Sequence, residues 1–73
     1  MAAVPILKPG EVVKTFEKLG WVVARQRGRH IILTKQGSST TLSVPKHDEV
    51  ARGTLRSLIA KAGITVDEFV AAL

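Results

Sequence analysis

Three short runs of strand-forming residues, separated by two tight turns, constrain the fold of this chain more than any other feature. The runs cover residues 21–27, 29–35 and 40–44. Gly28 and the polar segment 36–39 separate them, and connections this short join antiparallel neighbours in a sheet. Pro45 closes the third run because proline has no N–H to donate to a sheet. The sequence therefore predicts a three-stranded antiparallel meander.

A helix is predicted before the sheet. Pro9 and Gly10 suit its first turn, and Gly20 suits the position that follows its last residue, Leu19. Apolar residues recur between these ends at helical spacing. The resulting stripe consists of Val12, Phe16 and Leu19. Residues 1–8, which precede this helix, are predicted to form a loose arm.

Two further helices are predicted after the sheet. Residues 46–53 form a polar loop, and Thr54 is the expected N-cap of a helix that runs to Ala62. Thr65 and Glu68 have the spacing of a capping box, which begins a last short helix. The side chains expected to face inward are Leu55, Leu58, Ile59, Ala62, Val66, Phe69, Val70 and Leu73. The order α-β-β-β-α-α predicts an α+β fold, with helices on one face of a small antiparallel sheet and residues 1–73 in a single domain.

Alternation along the strands assigns the two faces of the sheet. The core face is predicted to carry Ile31, Leu33, Leu42 and Val44. The opposite, open face is predicted to carry His30, Ile32, Thr34, Thr41 and Ser43. Trp21 is expected in the core or at its edge rather than as a platform for stacking bases.

Positive charge is concentrated in the middle of the chain. The formal net charge is +5, and no acidic residue occurs between Lys18 and His47. A segment of one sign in so small a domain indicates a positive face, for which nucleic acid is the usual partner. The alternative is a basic surface that serves solubility.

Composition excludes several other classes. The chain has no cysteine, which rules out disulfides and thiolate metal sites. Its apolar runs are far shorter than the ~20 residues that span a bilayer. The segment from Ala2 to Leu7 has no charged residue before it and is interrupted by Pro5, so it does not resemble a signal peptide. A soluble, cytoplasmic protein without membrane contact is expected.

His30 is the first candidate for chemistry. Imidazole changes its charge near neutral pH, so it can accept a proton from a ribose 2′-hydroxyl or donate one to a leaving 5′-oxygen. The neighbouring Arg27 and Arg29 could hold the phosphate and stabilise its developing charge. The residues alone leave open whether His30 is catalytic or simply adds to general RNA affinity.

A second group of candidates follows the sheet. His47 could share acid–base work with His30, although a structural or capping role near the next helix is favoured by position. A metal site is not expected, since no carboxylate or thiol has recognisable ligand spacing with the two histidines. Arg52, Thr54 and Arg56 lie near a predicted helix N-terminus, which suits either an anion or ordinary capping. The residues expected to contact RNA are Lys14, Lys18, Arg25, Arg27, Arg29, Lys46, His47, Arg52 and Arg56.

The ordered motifs of this chain resemble those of HicA-type (YcfA-like) mRNA interferase toxins. They are Leu19-Gly20-Trp21, where the family commonly has Leu-Gly-Phe, then the segments 25–30, 44–47 and 53–59, and finally Ala62-Gly63-Ile64-Thr65 with Phe69. The resemblance covers nearly the whole chain. It implies a fold like that of double-stranded-RNA-binding domains.

The resemblance also implies a function. It implies ribosome-independent cleavage of mRNA by a single catalytic histidine, His30, without a cofactor. It further implies neutralisation by a HicB-like antitoxin that covers this histidine and is acidic where it meets the basic face. DNA is not expected to bind to the toxin alone.

One position departs from the family pattern. The usual motif at the active histidine is Gly-Ser-His or Gly-Thr-His, whereas here Arg29 occupies the middle position. If the small hydroxyl assists catalysis or packing, an arginine there would slow cleavage or change the preferred RNA. If the position mainly faces phosphate, an arginine would strengthen binding. Two alternatives to a nuclease follow: a non-catalytic module that binds structured RNA, and a degenerate toxin that retains only its pairing with the antitoxin.

Overall fold

The three strands form one antiparallel sheet with β2 in the centre. The computed structural model describes residues 3–73 and confirms the predicted order of elements. The strands are β1 (Val22–Arg27), β2 (His30–Thr34) and β3 (Leu42–Pro45), in the order β1-β2-β3. The helices are α1 (Pro9–Lys18), α2 (Arg52–Lys61) and α3 (Val66–Ala71). No helix in residues 3–73 is long and apolar enough to cross a membrane.

The helices cover the predicted core face of the sheet. Leu33, Leu42 and Val44 are fully buried, and Ile31 is partly buried, as the alternation predicted. The helices contribute the buried side chains Val12, Phe16, Leu55, Leu58, Ile59 and Phe69. The rings of Phe16 and Phe69 pack 5.0 Å apart between centroids, which joins α1 to α3 across the core.

The end of α1 fixes the direction in which the chain enters the sheet. The Gly20 N–H donates to Glu17 O, and the Trp21 N–H donates to Phe16 O, which together form a Schellman motif. Gly20 accommodates this turn with a φ of +98°. The Trp21 ring is buried as predicted and meets Phe16 edge to face, with centroids 6.5 Å apart. Helix termination and core packing are thus coupled through one residue.

The N-terminal segment is anchored rather than loose, so this prediction was wrong for residues 3–8; Met1 and Ala2 lie outside the described residues. Val4 is only 2% exposed. The Val50 N–H donates to Leu7 O over 2.8 Å, and Arg52 Nε donates to Val4 O over 3.0 Å. The apolar side chains of this segment cover core surface, and burying a residue such as valine contributes roughly 1.5–3 kcal/mol.

Two further predictions about the C-terminal half were wrong. Helix α2 begins at Arg52 with Ala51 as its N-cap, so Thr54 lies within the first turn and does not cap it. The contacts of Val50 and Arg52 with the N-terminal segment place the start of this helix earlier than the capping pattern suggested. Leu73 is 47% exposed because α3 ends at Ala71. The predicted capping box of α3 is confirmed, with Glu68 N–H to Thr65 Oγ1 at 3.1 Å.

Candidate functional site

His30 begins the central strand and is exposed on the open face of the sheet. In the strand register it lies directly opposite Arg27 on β1 and Pro45 on β3. Directly opposed residues of an antiparallel sheet have Cβ atoms about 4.5–5.5 Å apart and share a face. Among residues 3–73, no side-chain hydrogen bond involves the imidazole. Both ring nitrogens are therefore available to a ligand.

A β-bulge in β1 brings two arginines to the same face as His30. Val23 pairs with Leu33 on the core face, but the next pair is Arg25 with Ile32, so Ala24 is the extra residue. Without this insertion, alternation would place Arg25 on the face of Leu33. With it, Arg25 and Arg27 lie on the open face beside β2. The bulge thus converts a basic strand into a basic surface next to the histidine.

The turn that precedes His30 is made by Gly28 and Arg29. Gly28 has a φ of +57°, and among residues 3–73 only glycines have positive φ, which is the pattern of a type II′ hairpin turn. The Gln26 side-chain amide donates to Gly28 O over 3.3 Å. Arg29 is exposed at the second turn position, and its carbonyl accepts the Lys46 N–H at 2.6 Å. A third arginine and a lysine are thereby held at the end of the sheet where His30 lies.

His47 is exposed in the bend after β3. Together with Lys46 and Asp48 it faces Lys8, Pro9 and Gly10 across a surface cleft of about 460 Å³. Of the structural or capping role favoured for His47, the capping part was wrong, because Ala51 is the N-cap of α2 and no side-chain hydrogen bond of His47 occurs among residues 3–73. Lys46 and His47 instead extend the basic surface at the His30 end of the sheet.

The four remaining basic candidates lie on helices. Lys14 and Lys18 are exposed on α1, which packs against the core face, so the sheet separates them from the open face. Arg52 and Arg56 are exposed on α2, and Arg52 uses its Nε atom to hold Val4 O. None of the four adjoins His30 in the register of the sheet. The sequence grouped these residues by charge, whereas the fold divides them between two layers.

Comparison with known proteins supplies the family. The family model described as the HicA toxin of bacterial toxin–antitoxin systems matches residues 10–64 of the 73-residue chain. The chain belongs to the HicA toxin family. Membership makes it the toxin of a toxin–antitoxin pair, and it implies a cognate antitoxin as partner. No curated protein matched the chain.

The matched segment contains most of the candidate site of this HicA chain. It includes His30, the arginines of β1 and the turn, and the Lys46-His47 pair, but it ends before α3. Lys8 precedes the match and lines the cleft beside Lys46. Lys8 was not predicted as a site residue, because residues 1–8 were expected to be loose. Leu7 alone offered a signal, since an apolar residue just before a helix often packs against that helix.

The candidate site of this HicA chain consists of imidazole, guanidinium and ammonium groups. Within residues 3–73, no three histidine or carboxylate side chains come together in an arrangement that could hold a metal ion. The basic residues nearest to His30 in the backbone are Arg27, which pairs with it, and Arg29, which precedes it, while Arg25 lies on the same face. Such a site can bind phosphate and move a proton.

Proposed function

We propose that this HicA-family toxin is a metal-independent endoribonuclease that cleaves mRNA independently of the ribosome, with His30 as its single catalytic residue. The observation that carries the proposal is the exposed imidazole opposite Arg27, on a face to which the β-bulge also brings Arg25. A proton-transfer group next to fixed cations is the arrangement that cleavage of an RNA phosphodiester requires.

The reaction follows from the chemistry of ribose. His30 accepts the proton of a 2′-hydroxyl, and the 2′-oxygen attacks the adjacent phosphorus. The bond from phosphorus to the 5′-oxygen breaks, that oxygen takes up a proton from water, and the imidazolium of His30 returns its proton to the solvent. The products then carry a 2′,3′-cyclic phosphate and a 5′-hydroxyl.

The arginines act on the phosphate rather than on the proton. Arg27 lies opposite His30, so its guanidinium can reach the phosphate oxygens on which negative charge develops. Arg29 projects from the exposed turn, where an arginine in place of the family's serine or threonine adds a cation without entering the core. Lys46 is held next to the turn by its backbone hydrogen bond, and its side chain contributes to positioning the RNA strand.

The same face also suits the antitoxin. We propose that a HicB-like antitoxin neutralises the toxin by covering His30, with carboxylates placed against the basic open face. A cytoplasmic location, where both mRNA and the antitoxin are available, fits this role.

The test is incubation of the wild-type protein and of His30→Ala with a long single-stranded RNA in EDTA. Cleavage by the wild type alone, with 2′,3′-cyclic phosphate ends, is the expected result. Single-stranded DNA serves as the control, because it lacks the 2′-hydroxyl and should remain intact. Equal cleavage by His30→Ala would exclude His30 as the catalytic residue.

Two other outcomes would favour the alternatives. Intact RNA that is retarded on a gel by both proteins would indicate a non-catalytic RNA-binding module. Unimpaired growth on induction, together with tight binding of the antitoxin, would indicate a degenerate toxin.

A further inference from the structure

A basic cleft lies beside the candidate site, and Lys46 is the one lining residue that it shares with the mechanism above. Its volume is about 460 Å³, within the range of small-molecule sites and large enough for more than a single ion. Two lysines and a histidine line it together with one carboxylate. The lining residues are Lys8, Pro9, Gly10, Lys46, His47 and Asp48. Gly10 has no side chain, so it adds no bulk to this wall of the cleft.

Hydrogen bonds hold both walls of the cleft. On one side, the Lys46 N–H donates to Arg29 O, which fixes Lys46 against the turn before His30. On the other side, the Val50 N–H donates to Leu7 O, and the Lys8 N–H donates to the Glu11 carboxylate at 3.1 Å. Lys8 and Lys46 therefore start from backbone positions that are set by the fold, although their side chains are exposed.

Two lining residues of the cleft, Lys46 and His47, lie close to His30 through the pairing of the strands. Pro45 pairs with His30 across the sheet, and Lys46 and His47 follow Pro45 directly in the chain. A strand of RNA with one phosphate at His30 would thus reach the cleft as it leaves the open face past β3. Lysines bind phosphate as point charges, and the N–H of an imidazole is a further donor.

We propose that this cleft binds the RNA phosphate next to the one at His30, with Lys8 and Lys46 as its cationic contacts and His47 as a hydrogen-bond donor. The inference rests on the proposed function, because it takes RNA as the ligand. Asp48 is the one carboxylate in the cleft, and its charge opposes that of a phosphate. Removing that charge should therefore strengthen binding, whereas a purely structural role for the cleft predicts no gain.

The experiment measures binding separately from cleavage. A short, labelled 2′-O-methyl single-stranded RNA cannot be cut through its 2′-oxygen, so its dissociation constant is measured by fluorescence anisotropy over a range of NaCl concentrations. The proteins are the wild type, Lys8→Gln, Lys46→Gln and Asp48→Asn. Lys61→Gln is the matched control, since Lys61 is an exposed lysine in the last turn of α2. Thermal melting checks that each variant is folded.

The loss of one phosphate contact reduces the slope of log Kd against log salt concentration by about 0.7 for single strands. We expect this change for Lys8→Gln and for Lys46→Gln, with an affinity loss that grows as the salt concentration is lowered. Asp48→Asn should bind more tightly than the wild type, and Lys61→Gln should match it. Identical slopes for Lys8→Gln and Lys61→Gln would overturn the cleft as a phosphate site, whatever the cleavage assay showed.

The two proposals fail separately. Cleavage of unmodified RNA by His30→Ala would overturn the catalytic assignment and leave the slopes unaffected. Normal cleavage by Lys8→Gln at saturating RNA, with a raised KM, would support a contact that binds substrate without taking part in the chemistry. A lowered kcat with an unchanged KM and an unchanged salt slope would count against the cleft.

Discussion

The backbone of Lys46 donates a hydrogen bond to the carbonyl of Arg29 over 2.6 Å. This bond joins the turn that precedes His30 to the segment that follows β3. His30, the first residue of β2, therefore has a paired neighbour on each side, Arg27 on β1 and Pro45 on β3. The exposed imidazole therefore sits on a backbone that is held by two neighbouring strands. Sites built on strands are positioned more precisely than sites on free loops.

Replacement of Arg27 by alanine should lower the cleavage rate. The residue lies opposite His30, and loss of one group that stabilises developing charge typically costs 10²–10³ in kcat, roughly 3–4 kcal/mol. Single-turnover cleavage of RNA measures this step. Arg27→Lys should recover part of the rate because it keeps the charge, and Lys61→Ala should leave it unchanged. An Arg27→Ala variant with the wild-type rate would remove Arg27 from the mechanism.

Gly28→Ala should destabilise the protein through backbone conformation alone. Gly28 has a φ of +57°, and apart from Gly28 and its two chain neighbours no described residue has an atom within 4 Å of the position of an added Cβ. The expected cost is about 1–3 kcal/mol, which urea denaturation can resolve. Gly53→Ala is the matched control, because Gly53 lies within α2 and its surroundings are equally open. This substitution should stabilise the protein by up to about 1 kcal/mol, since alanine favours a helix more than glycine does. Equal effects at the two positions would contradict a strained turn.

The anchoring of the N-terminal segment predicts different effects at two neighbouring residues. Val4 is 2% exposed, so Val4→Ala should lower the free energy of unfolding by about 2 kcal/mol. Ile6 is 47% exposed, and Ile6→Ala should change it by less than about 0.5 kcal/mol. Thermal unfolding of both variants provides the comparison. A loose arm would instead make both substitutions neutral.

Trp21→Phe should be far better tolerated than Trp21→Ala. The indole ring is buried against Phe16, but within residues 3–73 its Nε1 atom has no hydrogen-bond partner. Phenylalanine loses some packing and also removes an unsatisfied donor worth about 1–3 kcal/mol, so the net change should be small. Alanine removes the same donor but loses nearly all of the packing of the ring, and it should cost about 3–5 kcal/mol. Chemical denaturation distinguishes the two, and a large loss for Trp21→Phe would indicate that the N–H is satisfied by water.

Local patterns predicted most of the architecture correctly. Alternation placed Leu33, Leu42 and Val44 in the core, and the Thr65–Glu68 spacing located the last helix. Each of these signals depends on residues that are close in sequence. The predicted start of α2 was wrong because it depends on residues that are distant in sequence. The contacts of Val50 and Arg52 with the N-terminal segment override the cap suggested by Thr54.

The candidate site was likewise predicted in part from local sequence and decided in part by the tertiary fold. Residue order and spacing alone were enough to predict His30 and its arginines as the site, and to identify the family, because these signals are local in the chain. The tertiary fold decided which arginines share a face with His30, since that depends on one extra residue in β1 and hence on the register of β1 against β2. It also decided that Lys8 faces Lys46, since burial of Val4 and the pairing of Leu7 with Val50 bring together segments far apart in sequence. Register and long-range burial are cooperative properties of the packed chain, and no local pattern encodes them.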